Sequence, residues 1–233
     1  MTKNKLFVIL VVDGILLGLL VSGFLRYRSS LTRNFRVQLW INHPEQYPEW
    51  SITALERCGE APFILPTDGF IGFLWDDTFK LGHRHQGIDI FGGNEPGLIP
   101  VYSASDGFLT RLADWKSSLI IRVPKDPLLP SRQIWIYYTH LADQDGQSFI
   151  MPGFPPGTNE KFVRAGELLG YQGNYSGDPN NPVGVHLHFS IVKDDGQGKY
   201  LNELIFLNTL DPSPYLGLNL ISHNASLEPP VCQ

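Results

Sequence analysis

Short apolar runs alternate with clusters of Gly, Pro, Asn and Asp from Pro66 onward, and this alternation limits the fold more than any other feature. Runs this short, bounded by turn residues, are typical of β-strands and leave no stretch long enough for a long helix. The 23 glycines and 18 prolines among 233 residues favour turns further. The clearest strands are predicted at Gly87–Phe91, Leu119–Val123, Ile134–Leu141 and Val185–Val192. We therefore expect a mainly β fold.

Length and charge narrow the number of domains and the classes of partner. The 233 residues suit one domain of about 150–200 residues with an appendage. Because 18 Lys and Arg residues stand against 23 Asp and Glu residues, the net charge is −5, and no basic surface is expected for a phosphate backbone. Nucleic acid is therefore not an expected partner. We divide the chain into a membrane or signal segment (1–30), a linker (31–60), a folded domain (61–216) and a C-terminal tail (217–233).

The first thirty residues contain an apolar stretch, Leu6–Leu25, which is interrupted by one charge, Asp13, and by polar Ser22. Twenty residues are enough to span a bilayer as a helix, and the apolar side chains outweigh the cost of one carboxylate. We therefore expect an N-terminal transmembrane helix that anchors the chain through residues 6–25. A cleaved signal peptide is the alternative, because the residues around Ser22 are small, as at a cleavage site. The length of the run favours the anchor.

Two features bear on the side of the membrane at which the domain lies. The arginines that follow the apolar run would hold the C-terminal side in the cytoplasm under the positive-inside rule. Cys58 lies before the predicted domain and Cys232 after it, and this placement suits a disulfide that ties the ends of the domain in an oxidising compartment. Two buried free thiols would give the same pattern. We expect a single-pass membrane anchor with the domain outside the cytoplasm, or a secreted chain if the segment is cleaved.

Five of the seven histidines fall in three short motifs. In the first, His85 and Asp89 are four residues apart, so in an extended segment both side chains point to one face. In the second, His186 and His188 share one face of an apolar strand, and the third places His140 at the end of a strongly β-prone run. Two imidazoles and a carboxylate on facing strands form a three-ligand set for a divalent ion with a fourth position free, as in catalytic zinc sites.

The histidines that do not bind the ion could exchange protons near neutral pH, because the unperturbed pKa of imidazole is about 6.5. Taken alone, His140 is more typical of a histidine that is hydrogen-bonded near a strand end. His83 lies six residues from Asp89 and fits a different register, whereas His43 and His223 belong to no cluster. The combination of motifs, more than any single one, therefore indicates a site.

In their order along the chain, these motifs resemble those of the lysostaphin and LytM-type zinc metallopeptidases, which cut peptide bonds in bacterial peptidoglycan. The resemblance runs from about His83 to Val192, continues weakly over 211–216, and covers over half of the chain. It is carried by His85-x-Gly87-x-Asp89-Ile90, Pro100–Gly107, Tyr138-Thr139-His140-Leu141, Val163-x-x-Gly166-Glu167-x-Leu169-Gly170-x-x-Gly173-Asn174 and His186-Leu187-His188-Phe189.

The resemblance implies a fold, a cofactor and a role for each of five residues. The fold would be a compact antiparallel β-sheet or β-sandwich-like metallopeptidase domain with the metal in a groove lined by loops. His85, Asp89 and His188 would hold one Zn²⁺ per chain, and His140 and His186 would be the catalytic histidines. The implied activity is that of a zinc-dependent metalloendopeptidase acting on the stem peptides or cross-bridges of peptidoglycan outside the cytoplasmic membrane.

Three departures from the family pattern concern the site. Val185 and Ser190 stand where the family often has a proline and a carboxylate, so an acceptor that could orient a metal ligand is missing from its expected place. Phe73–Asp77 replaces the family's usual segment upstream of the first ligand. The stretch Ala142–Phe162 is longer than usual and is a candidate to cover the groove.

Two other functions compete with the endopeptidase. A non-catalytic cell-wall binding or regulatory module of the same fold would activate another hydrolase, but degenerate members normally lose ligands, and here all three ligands and both candidate catalytic histidines are present. A second alternative keeps the enzyme and changes the substrate to a protein or a D-amino-acid dipeptide. The related dipeptidases need a longer spacing between their first His and Asp than His83 and Asp89 supply.

Overall fold

The computed structural model describes residues 3–77, 83–218, 230 and 232, and the side chains of all of these except 3–11 and 25–33. In chain order the helices and strands are α1 (Lys3–Asn42), β1 (Ser51–Ile52), β2 (Gly69–Phe73), β3 (Ile88–Phe91), β4 (Pro100–Tyr102), β5 (Gly107–Thr110), β6 (Leu119–Val123), β7 (Ile134–Thr139), β8 (Lys161–Val163), β9 (Leu168–Tyr171), β10 (Leu187–Lys193), β11 (Thr209–Leu210) and α2 (Ser213–Leu216). Short 3₁₀ turns lie at Pro44–Gln46, Pro48–Trp50 and Phe206–Asn208.

Nine of the strands form one antiparallel sheet in the order β1-β2-β3-β10-β7-β6-β5-β8, with β11 paired to β10, while β4 and β9 form a separate pair. The expectation of a mainly antiparallel β fold is therefore confirmed. The four strands predicted most clearly from the sequence correspond to β3, β6, β7 and β10, with ends that differ by no more than two residues. β7 ends before His140 because that residue has a φ of 69°, which breaks the extended backbone.

The N-terminal helix α1 differs from the predicted anchor. Within the described part of the chain, no helix combines the length and the apolar character that crossing a membrane requires. The transmembrane helix expected over Leu6–Leu25 is therefore not supported, and residues 6–11 and 25 of that segment lie outside the described side chains. The described residues of the segment, 12–24, are exposed.

The C-terminal part of α1 packs against the folded domain. Val37 and Trp40 are buried there and form a cluster with Phe70 of β2 and Phe91 of β3. The rings of Trp40 and Phe70 stack with their centroids 6.1 Å apart. Gly72 lies beneath the helix, where a Cβ atom would come within 2.3 Å of Val37 Cγ2, so the absence of a side chain at this position allows the close approach.

Strand β10 is the central strand of the site. Leu187–Phe189 pairs with β3, and His188–Lys193 pairs with β7 on the opposite edge. His188 consequently lies opposite Asp89 on one side and opposite Thr139 on the other. Because side chains alternate along a strand, the fully buried Leu187, Phe189 and Ile191 belong to the main core, while His188 points to the other face of the sheet.

A disulfide joins Cys58 to Cys232, with a sequence separation of 174 residues and a Cα–Cα distance of 5.0 Å. The sequence left a disulfide and two free thiols open, and the structure has the disulfide. It closes a covalent loop around all the strands from β2 to β11. Most of the segment after residue 218 lies outside the described residues.

Candidate metal centre

Three predicted ligands converge on one point at the surface of the sheet. His85 Nε2 lies 3.1 Å from Asp89 Oδ1 and 3.1 Å from His188 Nδ1, and His188 Nδ1 lies 2.8 Å from Asp89 Oδ1. All three side chains are buried, and together they form a group that could hold a metal ion. Two imidazoles and one carboxylate are a donor set that suits zinc and other divalent transition metals.

Local structure explains how ligands from distant parts of the chain meet. Asp89 lies on β3 and His188 on β10, directly opposite each other in register. Gly87 precedes β3, and a Cβ atom there would approach the carbonyl oxygen of Phe189 to 2.4 Å, so only glycine allows β10 this close. His85 reaches the same point from the irregular segment before β3, where its backbone N–H donates to Asp77 O at 2.8 Å.

Each of the two candidate histidine ligands has a hydrogen-bond partner at its other ring nitrogen. His85 Nδ1 lies 2.9 Å from the carbonyl oxygen of Leu74, which can only accept, so Nδ1 carries the proton and Nε2 is left with a lone pair. His188 Nε2 lies 2.9 Å from Glu203 Oε1. A cation fits this arrangement, because in both rings the nitrogen that can coordinate a cation faces Asp89.

The protonation of Asp89 and His188 reflects their mutual contacts. Burial alone would raise the pKa of Asp89, but the surrounding histidines outweigh burial and hold that pKa well below its usual range. Burial alone would lower the pKa of His188, but its hydrogen bonds to Asp89 and Glu203 prevail and raise the pKa to about 10. Without a metal ion, His188 is thus a cation held between two carboxylates. A divalent cation would take the place of the proton on Nδ1.

His140 lies beside this group and is kept neutral. Its Nδ1 donates to the carbonyl oxygen of Tyr175 at 2.7 Å, which leaves Nε2 unprotonated in the neutral ring. Burial, together with the nearby His186 and His188, lowers the pKa of His140 to about 3. Its backbone φ of 69° is unusual for a residue with a side chain and is enforced by the surrounding structure.

His186 forms a second neutral imidazole at the same place. Its Nδ1 donates to Gly184 O at 2.6 Å, and its Nε2 lies 3.6 Å from Asp89 Oδ1. Burial lowers the pKa of His186 in spite of the nearby carboxylate. The rings of His186 and His140 are 4.5 Å apart between centroids, and Phe91 stacks on His186 at 4.9 Å.

These five side chains line one groove of about 550 Å³. Its lining also includes the end of α1 with Asn34, Val37 and Gln38, the loop before β10 with Ser176, Val183 and Gly184, and the segment after β10 with Glu203 and Leu204. Within the described residues, the lining includes none from 142–162, so the long stretch suspected from the sequence does not form this wall.

All five site residues predicted from the sequence lie together in this groove. Two other parts of the site were not predicted from the sequence. The structure places His85, Asp89 and His188 at one point, with His140 and His186 at its edge. Glu203 was missed because it belongs to no motif and lies 15 residues beyond His188. The end of α1 was missed because it belongs to the segment interpreted as a linker. His83 also lines the groove, although no role is predicted for it from the sequence.

No family model matches the chain, and no curated protein matches it. Among solved structures, the chain is similar to the catalytic domain of the antimicrobial peptidase lysostaphin from Staphylococcus simulans, at 18% identity and a TM-score of 0.41 over 62% of this chain and 90% of that one. It spans 49% of the longer lysostaphin structure.

The chain is also similar to two further solved structures. One is the catalytic domain of the prophage-encoded M23 protein EnpA from Enterococcus faecalis, with 18% identity, a TM-score of 0.38 and coverage of 65% of this chain and 97% of that one. The other is a zinc-containing peptidase from Vibrio cholerae, with 17% identity, a TM-score of 0.35 and coverage of 66% and 38%.

Proposed function

We propose that this chain is a zinc-dependent metalloendopeptidase that hydrolyses peptide bonds in the stem peptides or cross-bridges of peptidoglycan. The observation that carries the proposal is the convergence of His85, Asp89 and His188 in a groove that also holds two neutral histidines. Zinc bound by these three side chains would supply Lewis-acid chemistry, since it polarises a carbonyl group and makes water more acidic.

The remaining histidines are suited to move protons. His140 and His186 each donate Nδ1–H to a backbone carbonyl, so each has an unprotonated Nε2. Two such nitrogens on the wall of the groove can take a proton from the attacking water and return it to the leaving amine. The same pair can stabilise the negative charge that develops on the carbonyl oxygen. Both orders of action fit the geometry, because the two rings lie side by side.

The direct test uses the purified full chain, loaded with zinc, against peptidoglycan and model bridge peptides. We expect new amino groups to be released, and we expect addition of a chelator to stop the release. His140→Ala serves as the matched protein control, because it keeps all three ligands. Zinc binding without any release of amines from these substrates would contradict the peptidase and favour the cell-wall binding or regulatory module.

We propose further that the domain works outside the cytoplasmic membrane. The Cys58–Cys232 disulfide supports this location, because such bonds persist in oxidising compartments. Attachment of residues 6–25 to the membrane is a separate proposal, which the sequence alone motivates. Fractionation of cells tests it: an anchored chain sediments with membranes, and a mature chain in the medium with its N-terminus near Phe24 would show cleavage instead.

A further inference from the structure

Glu203 contacts the metal-ligand group but offers it no ligand atom. Its Oε1 lies 2.9 Å from His188 Nε2, which is the ring nitrogen opposite the one facing Asp89. Its side chain is 14% exposed, so water competes little for this contact. Neither the hydrolysis proposed above nor the three-ligand set uses this carboxylate.

The contact with Glu203 determines which ring nitrogen of His188 carries the proton. A ring nitrogen that binds a cation must be unprotonated, so the proton of the neutral ring must lie on the other nitrogen. An ionised carboxylate only accepts hydrogen bonds, so Glu203 holds the proton of His188 on Nε2 and leaves Nδ1 free. The same contact prevents the ring from rotating away from Asp89.

We propose, on the basis of the function proposed above, that Glu203 is a positioning residue that orients His188 as a metal ligand. The carboxylate does for His188 what the carbonyl oxygen of Leu74 does for His85. Ser190, two residues beyond His188 on the same strand, has a hydroxyl group in place of a carboxylate. Glu203 therefore supplies, from a distant segment, a carboxylate in place of the one that Ser190 does not provide.

The segment that carries Glu203 is held in place by its own hydrogen bonds. Gln86, the neighbour of His85, donates from Nε2 to Leu204 O at 3.2 Å. Asn202 Oδ1 accepts from the Leu204 N–H at 3.0 Å, and Asn202 O accepts from Asn208 Nδ2 at 2.9 Å. The position of Glu203 is thus tied to the segment that presents the first ligand.

The experiment measures zinc affinity of the full chain by competition with a chelator. Glu203→Ala should bind zinc about 10- to 100-fold more weakly than the unchanged chain, which is the range expected on loss of such a partner. Glu203→Gln should lose less affinity, because its amide oxygen can still accept the proton of Nε2. Glu160→Ala is the matched control, because Glu160 is paired with Arg122 outside the groove, and its affinity should not change.

A second measurement separates orientation from a general loss of structure. Cobalt(II) in place of zinc should give an altered visible absorption spectrum in Glu203→Ala and a nearly unchanged one in Glu203→Gln. Thermal unfolding of the metal-free variants identifies any that fail to fold.

Two outcomes would contradict the inference in different ways. If Glu203→Ala bound zinc as tightly as the unchanged chain, with the same cobalt spectrum, the positioning role would be wrong while the proposed peptidase stood. If the unchanged chain bound no zinc at all, both proposals would be wrong.

Discussion

At the scale of single residues, we propose that zinc binding and proton transfer belong to different histidines. His188 shares a hydrogen bond with Asp89, whereas the Nδ1–H of His140 donates to the backbone carbonyl of Tyr175. Metal binding and turnover should therefore be separable by mutation.

We expect His188→Ala to lose bound zinc and His140→Ala to retain about one zinc per chain while its turnover falls about a hundredfold or more. Elemental analysis of the purified variants measures the first quantity, and release of amines measures the second. His43→Ala is a suitable control, because this histidine is about half exposed and lies in no cluster. Equal loss of metal in His140→Ala and His188→Ala would show that the division of roles is wrong.

The left-handed backbone of His140 leads to a second expectation. A residue with a Cβ atom at a φ of 69° costs folding free energy that glycine does not pay. His140→Gly should therefore be more stable than His140→Ala by about 1 kcal/mol, although both lack the imidazole. Urea denaturation of the two variants measures the difference, and equal midpoints would mean that the backbone there is not strained.

Sequence patterns identified the five central residues because each belongs to a short motif with a spacing that the strand geometry explains. Asp89 and His188 follow directly from alternation along β3 and β10. Glu203 could not be found in this way. It acts through one long-range contact from an irregular segment, and neither periodicity nor spacing reports such a contact.

At the scale of elements, the end of α1 is the main difference between prediction and structure. The sequence placed residues 31–60 in a linker, whereas Val37 and Trp40 are buried against the sheet. Periodicity did not reveal this contact, because a few apolar residues next to a long apolar run do not show which surface they cover. The four clearest strands were predictable because alternation and turn residues bound each one.

Helix α1 also supports His186 indirectly. Val37 packs over Gly72 together with Phe91, and Phe91 in turn stacks on His186. A Cβ atom at position 72 would lie 2.3 Å from Val37 Cγ2 and 2.7 Å from Phe91 Cε2, so it would push apart the helix and the ring.

Gly72→Ala should accordingly destabilise the protein by about 1–3 kcal/mol and lower turnover, with zinc retained. Val37→Ala in the same chain removes the nearest atoms, so the double variant should be less destabilised than the sum of the two single changes. Chemical denaturation of the four proteins completes the cycle. Strict additivity would mean that α1 does not rest on Gly72.

At the scale of the whole molecule, the disulfide joins the start of the domain to residue 232. Because 174 residues separate the two cysteines, the disulfide greatly reduces the conformational entropy of the unfolded chain. Cys58 belongs to the main core cluster, whereas the five site residues line the groove. Stability and metal binding should therefore respond differently to reduction.

We expect replacement of both cysteines by serine to lower the free energy of unfolding by about 2–5 kcal/mol. Zinc content of the folded protein should be unchanged, because the ligands are held by β3, β10 and the Leu74 carbonyl. Denaturation with and without a reductant measures the first effect, using the unchanged chain as reference. An unaltered denaturation midpoint after complete reduction would contradict it.

Both edges of β10 are paired with other strands, so this strand should not move when a metal ion enters or leaves the candidate site. Its amides are hydrogen-bonded to β3 or β11 on one side and to β7 on the other, so they should exchange with deuterium only during global unfolding. The segment around Glu203 has far fewer such bonds and should exchange through local opening. Metal would then leave and return through brief excursions of that segment, while the strands keep the empty ligands in place for reloading.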